Sequence, residues 1–275
     1  KTYGQTLTFS GTEFTSNGLV NAETISGVTL SSTGAAATAP VNGGAAYVIS
    51  ATNATGANGF VASNYNISYA NGSLTVNPAP LGVSASGVYS GSTVVVPTAF
   101  TLTGLVNGET VQDVASVTLN NANVISANRV TAISVGNGTA NMANYVLNAS
   151  PNANANTSTT NTFIMTKAPL TVQADNAAMF IGETLPGSHS VSYRGFVNGE
   201  SAGTASGLSA GAVVNTANAN SGAGSYTLTP SGWSADNYSL SYTAGTFSVV
   251  GANQLLIQAG SNTGTYGSAA TLAPV

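Results

Sequence analysis

Three short segments, GLVNAET (Gly18 to Thr24), GLVNGET (Gly104 to Thr110) and GFVNGES (Gly195 to Ser201), stand 86 and 91 residues apart. This repetition limits the fold more than any other feature of the 275 residues. Tyr3-Gly4, Tyr89-Ser90-Gly91, Phe180-Ile181-Gly182 and Tyr266-Gly267 keep the same rhythm. A unit of about 88 residues is large enough to bury its own small core, so each repeat is expected to be a domain rather than one turn of a solenoid. The expected division is 1–79, 80–168 and 169–252, with the start of a fourth repeat at 253–275. Both chain ends then fall inside repeats, which reads as a piece of a longer protein.

The clearest copy of the repeating pattern is Asn64 to Leu81, NYNISYANGSLTVNPAPL. Tyr65, Ile67 and Tyr69 alternate with polar residues, as do Leu74 and Val76 beyond Asn71-Gly72, and this spacing predicts a β-hairpin. Copies run from Asn144 to Leu170 and from Asp236 to Leu256, the latter turning at Ala244-Gly245. The second is lengthened by the low-complexity run from Ala149 to Thr160, expected as a surface loop. Nothing in the chain has sustained helical periodicity. The expected fold is all-β: tandem small β-sandwich or β-grasp-like domains, joined by short Pro-containing linkers around Pro78, Pro80 and Pro169 into an elongated rod.

Charge narrows function. Charged residues are 4% of the chain, against about a quarter in ordinary soluble domains. Four Lys and Arg cannot track a phosphate backbone, which argues against nucleic acid and anionic membranes. No apolar run approaches the length of a membrane span, so no membrane insertion is expected. With no cysteine, stability must come from packing alone. The polar surface is Asn, Ser, Thr and Gly, suited to an extracellular spacer or to sugar contacts.

Candidate chemistry is sparse. Glu23, Glu109 and Glu200 recur in the VN-(G/A)-E segment; a carboxylate needed in every copy reads as a turn-stabilising acceptor rather than a catalyst. Ala22 replaces the glycine of the other two copies, so its turn either avoids positive φ or carries about 1 kcal/mol of strain. His189, the only histidine, lacks a nucleophile elbow and reads as a surface residue. Asp175 and Glu183 are the least implausible calcium pair, but no metal site, cofactor or catalytic residue is expected. Trp233 beside Asp236 and Tyr238 has two readings, a platform for a sugar or, favoured, a half-buried anchor. The candidate glycan contacts are Trp233, Asn148, Asn152, Asn154 and Asn156.

The succession LTVQADNAAMFIGETLP, RGFVNGE, SYTLTPSG and NYSLSYTAGTFSV resembles the MBG domain of bacterial surface proteins. The second unit, with GVYSGST, GLVNGET, NYVL and KAPLTV, is similar to the sister YDG domain, although Ser90 stands where that motif has Asp. The resemblance implies repeats of large filamentous-haemagglutinin-like adhesins exported by two-partner secretion from Gram-negative bacteria. It implies no enzyme, a place at the extracellular cell surface, and a structural or adhesive stalk supporting cell adhesion or biofilm. Direct binding of host or matrix glycans is the alternative. The partners implied are neighbouring repeats of the same chain, the isolated piece being a monomer.

Overall fold

The computed structural model describes residues 1–148, 161–255 and 257. They are all-β, with three single-turn 3₁₀ segments and no α-helix among the described residues. Contacts divide the chain into two compact units, one made of 1–84, 100–117 and 130–162, the other of 85–99, 118–129 and 163–275.

The first repeat supplies β1 (Thr24–Ser31), β2 (Tyr47–Ala57) and β3 (Gly72–Leu74), which form a sheet in that order. The second supplies β4 (Ala79–Val88), β5 (Val94–Val95), β6 (Ala99–Thr103), β7 (Val114–Leu119), β8 (Val130–Val135), β9 (Tyr145–Leu147) and β10 (Asn161–Thr166). These make one sheet ordered β10-β4-β6, with β9 also on β4, and another ordered β5-β7-β8.

The third repeat shows the plan most fully. Its strands are β11 (Ala168–Ala174), β12 (Ala177–Phe180), β13 (Val191–Arg194), β14 (Ala212–Asn215), β15 (Gly224–Ser231), β16 (Tyr238–Thr243) and β17 (Gly245–Val250). They form two sheets, β13-β11-β16 and β12-β17-β15-β14. In β11 the alternation puts Leu170, Val172 and Ala174 inward, each 0% exposed. Ala174 packs on Met179, Leu228, Phe247 and Val249 from the other sheet.

The expected hairpin is not one. β16 pairs in parallel with β11, Leu170 opposite Leu240, while β17 pairs in parallel with β12 and antiparallel with β15. The chain therefore changes sheets at Ala244-Gly245 instead of folding back. Gly245 is required there because a Cβ would lie 2.4 Å from the Ala174 carbonyl oxygen, and its φ is not positive. Asn71 and Gly72 have no positive φ either, which rules out the tight hairpin turn read from Asn-Gly. β3 joins β2 with Leu74 opposite Tyr47, and β9 joins β4 in parallel with Tyr145 opposite Ala79. Alternation identified Leu74 and Val76 as buried, but Tyr69 and Tyr242, on the expected inner face, are each 41% exposed, and it carries no information about which strand lies alongside.

The prolines also sit differently from a linker. Pro80 and Pro169 are second residues of β4 and β11, at positions pairing with Val146 and Ser239, and only Lys167 separates β10 from β11.

Candidate functional site: paired tyrosine–glutamate joints

The VN-(G/A)-E segments fold into the same turn three times. The glutamate N–H donates to the valine carbonyl three residues back, at 3.0 Å in each copy: Glu23 to Val20, Glu109 to Val106 and Glu200 to Val197. The two central residues have positive φ: 53° and 58° at Asn21 and Ala22, 55° and 69° at Asn107 and Gly108, 52° and 71° at Asn198 and Gly199. This is the type I′ geometry, which asparagine tolerates and glycine suits. Ala22 thus takes the strained alternative.

Each turn aims its glutamate at a tyrosine of the NY segment in the same repeat. The hydroxyls of Tyr65, Tyr145 and Tyr238 donate to Glu23, Glu109 and Glu200. Each hydroxyl also accepts the turn's valine N–H, from Val20, Val106 and Val197 at 3.3, 3.1 and 3.2 Å. The phenol therefore bridges the backbone and the carboxylate of one turn.

Two of the glutamates take a second tyrosine from the beginning of the preceding repeat. Tyr3 donates to Glu109 Oε1 at 2.6 Å, and Tyr89 to Glu200 Oε1 at 2.6 Å. The paired rings meet edge to face, Tyr3 with Tyr145 at 5.6 Å and 82°, Tyr89 with Tyr238 at 5.5 Å and 81°. Around them the contacts repeat. Asn107 Nδ2 donates to the Ala37 carbonyl at 3.2 Å, and Asn198 Nδ2 to that of Gly91 at 2.8 Å. Gly4 and Gly91, at φ 88° and 71°, let these surfaces close, since a Cβ would fall 2.6 Å from Val106 and from Asn198 respectively.

The asparagine of the NY pair locks the same junction. Asn144 Oδ1 accepts the N–H of Val41 at 2.9 Å. Asn237 Oδ1 accepts that of Val124 at 2.9 Å, while its Nδ2 donates to Asn123 Oδ1 at 2.9 Å. Both asparagines are buried, so these bonds satisfy groups that water cannot reach.

Burial first, and the hydrogen bond to the carboxylate next, push the Tyr145 and Tyr238 hydroxyls up to about 12 and Tyr89 higher still. Tyr3 is raised mainly through its bond to Glu109. The joint is a phenol–carboxylate clamp whose tyrosine hydroxyls keep their protons well into alkaline pH. Among the described residues Glu23 takes only Tyr65.

The other candidate residues are engaged locally. Trp233 is 8% exposed, and its indole N–H donates to the Tyr193 hydroxyl at 3.0 Å, so too little of the ring is open for a sugar to lie on it. Asn148 is half-buried, its N–H on the Leu81 carbonyl and its own carbonyl accepting from Asn161. Asn152, Asn154 and Asn156 lie outside the described residues. His189 is half-buried rather than at the surface, edge-on to Phe247 at 5.4 Å, with burial lowering its pKa. Asp175 accepts from Ser192, and Glu183 from the Phe180 N–H. Among the described residues no three His, Asp or Glu side chains gather as for a metal.

Sequence reasoning found the glutamates and gave them a structural role but missed their tyrosine partners. The signal was available, since Tyr3 and Tyr89 share the 86-residue spacing of the glutamate turns.

No curated protein and no solved structure matches this chain. The sequence profile of the MBG domain (YGX type) matches residues 1–75 and 170–248, together more than half of the chain. The two matched segments carry the glutamate turn and the NY segment, and the first also contains Tyr3-Gly4. On that match the chain belongs to the MBG domain (YGX type) family.

Proposed function

We propose that this chain is a non-enzymatic, force-bearing spacer of a secreted bacterial surface adhesin, on a Gram-negative cell, with the tyrosine–glutamate joints coupling each repeat to the next. One observation carries the reading: the same clamp occurs twice, tying the opening tyrosine of one repeat to the glutamate turn of the following one. A spacer under load needs stiffness at each junction, and two charge-assisted bonds plus an edge-on ring pair supply it without long-range electrostatics. The low charge fits this, because a neutral phenol donating to a carboxylate holds the joint without a cationic partner, and salt screens such a contact less than an ion pair.

Pulling single molecules by their two ends tests the reading. The intact chain should resist with two or more similar force peaks, and Tyr3→Phe with Tyr89→Phe should lower them. Unchanged peaks in the double variant would remove the mechanical role.

A further inference from the structure

Between the glutamate turn and the NY segment the second repeat has the strands β7 and β8, and the third has β14 and β15. In the second repeat the far edge of β7 is covered by β5, the sheet running β5-β7-β8, and the Leu119 N–H donates to the Thr93 carbonyl at 2.8 Å. In the third, β14 ends the sheet β12-β17-β15-β14, and no strand lies beyond it among the described residues. The cause is local. Counted from the repeated glycines Gly91 and Gly182, Val94 and Val95 of β5 correspond to Leu185 and Pro186. Leu185 still packs on the core, as does Val213, but Pro186 has no N–H to donate, and residues 181–190 contain no strand. The second repeat, whose successor is present, closes this edge from within, so the open edge of β14 follows from Pro186 and not from where the chain stops.

The hydrogen-bond phase of β14 sets what this edge offers. The Thr216 N–H donates to the Thr227 carbonyl at 3.0 Å, and Val213 stands opposite Pro230, which has no N–H. The even-numbered residues therefore bond to β15, and the main-chain N–H and C=O groups of Val213 and Asn215 point away from it. Val214 lies between them, opposite Thr229 and 57% exposed. Open edges are ordinarily guarded by a charge, a proline or a bulge. β14 has none of the three: no charged residue occurs from Ser201 to Ala235, and its pairing with β15 runs without a register break.

We infer that the β14 edge is a lateral interface, and that its occupant is β14 of a second copy of this chain, antiparallel about a two-fold axis at Val214. This centre uses all the outward groups of Val213 and Asn215. Val213 pairs with Asn215 of the second copy and Asn215 with Val213 of the second copy, each pair exchanging its main-chain bonds. The two Val214 side chains then meet at the closer, non-hydrogen-bonded position between those pairs. Self-complementarity selects the occupant: an uncharged, unbroken edge meets its own copy, no charge is buried, and the exposed valine is covered. The same strand serves on both sides, so the contact closes as a dimer and does not propagate. A strand this short buries far less than the roughly 800 Å² per partner of a standard interface, so one contact is weak, and neighbouring chains hold together by summing several. This departs from the monomer expected from the sequence, and it stands or falls independently of the spacer role.

The chain has no cysteine, so a single engineered thiol reads cleanly. In a glutathione redox buffer, full-length Val214→Cys should form a disulfide-linked dimer at least about tenfold faster than Ala212→Cys or Thr229→Cys, because pairing raises the local thiol concentration only at the two-fold centre. Ala212 and Thr229 are exposed as well, which makes them controls for random collision. Sedimentation velocity of the unaltered chain at rising concentration should show monomer passing into dimer. Val214→Lys, which sets two like charges against each other at the centre, should hold the chain as monomer with an unchanged circular dichroism spectrum. Equal cross-linking rates for the three cysteines would overturn the proposal, as would an unaltered chain that stays monomeric at every concentration. A dimer that survives Val214→Lys, or species that grow beyond a dimer, would overturn it too.

Discussion

The clamp at Glu200 can be taken apart by a double-mutant cycle of Tyr89→Phe and Glu200→Gln. Tyr89 is buried, and its hydroxyl reaches Glu200 Oε1 at 2.6 Å. A hydrogen bond to a charged group contributes about 1.5–3 kcal/mol, so Tyr89→Phe should cost about 2 kcal/mol. Glu200→Gln weakens the bonds to both Tyr89 and Tyr238 while its amide oxygen still accepts one, giving roughly 3 kcal/mol. Because the two changes remove one shared contact, their sum should exceed the double variant by about 1–2 kcal/mol. Urea unfolding followed by Trp233 fluorescence is the assay. Trp233 and the Glu200 joint lie in the same compact unit, and with an m-value of about 2 kcal/mol/M a 2 kcal/mol loss moves the midpoint by about 1 M. A coupling below about 0.5 kcal/mol would show that the phenol and carboxylate stabilise nothing by meeting, and the clamp would be an accident of packing. The same cycle at Tyr3 and Glu109, read by circular dichroism, should give a similar value, since its distances match.

Alkaline pH should unfold the protein through these tyrosines. Tyr145 and Tyr238 rise from the ordinary 10.0 to about 12, so the stability they contribute is complete below pH 10 and is lost as pH climbs through 12, at up to about 1.4 kcal/mol per unit for each. A thermal midpoint that is flat from pH 6 to 9 and falls from pH 10 is expected; a flat profile to pH 12 would contradict it. Ala22→Gly should raise stability by about 1 kcal/mol, by relieving a φ of 58° that alanine adopts at a cost, as seen in chemical denaturation. Ser90→Ala should be neutral or stabilising by up to about 1 kcal/mol, because the Ser90 hydroxyl is buried without a partner among the described residues. Gly195→Ala should cost more than about 2 kcal/mol, combining positive φ with a clash on Pro169. Gly18→Ala should cost only the backbone strain of about 1 kcal/mol, since nothing lies within 4 Å of where its Cβ would be, and equal losses in thermal melts would refute the reasoning from close approach.

Sequence alone determined the all-β class, the repeat, and part of the buried face, because apolar alternation is local and Leu74 and Val76 can be read without knowing their neighbours, although Tyr69 on the same pattern is 41% exposed. It also marked the glutamate turn, since Asn-Gly followed by a carboxylate is local chemistry. Only the tertiary structure decided that β16 and β17 belong to different sheets and that Gly245 serves a close approach to Ala174. Only it paired Tyr3 with Glu109 and Tyr89 with Glu200, contacts spanning 106 and 111 residues. Parallel pairing and clamps across repeats join segments far apart in the chain. Their partners are chosen by packing and by the need to satisfy buried polar groups; the repeat spacing marks which residues recur but not which of them meet.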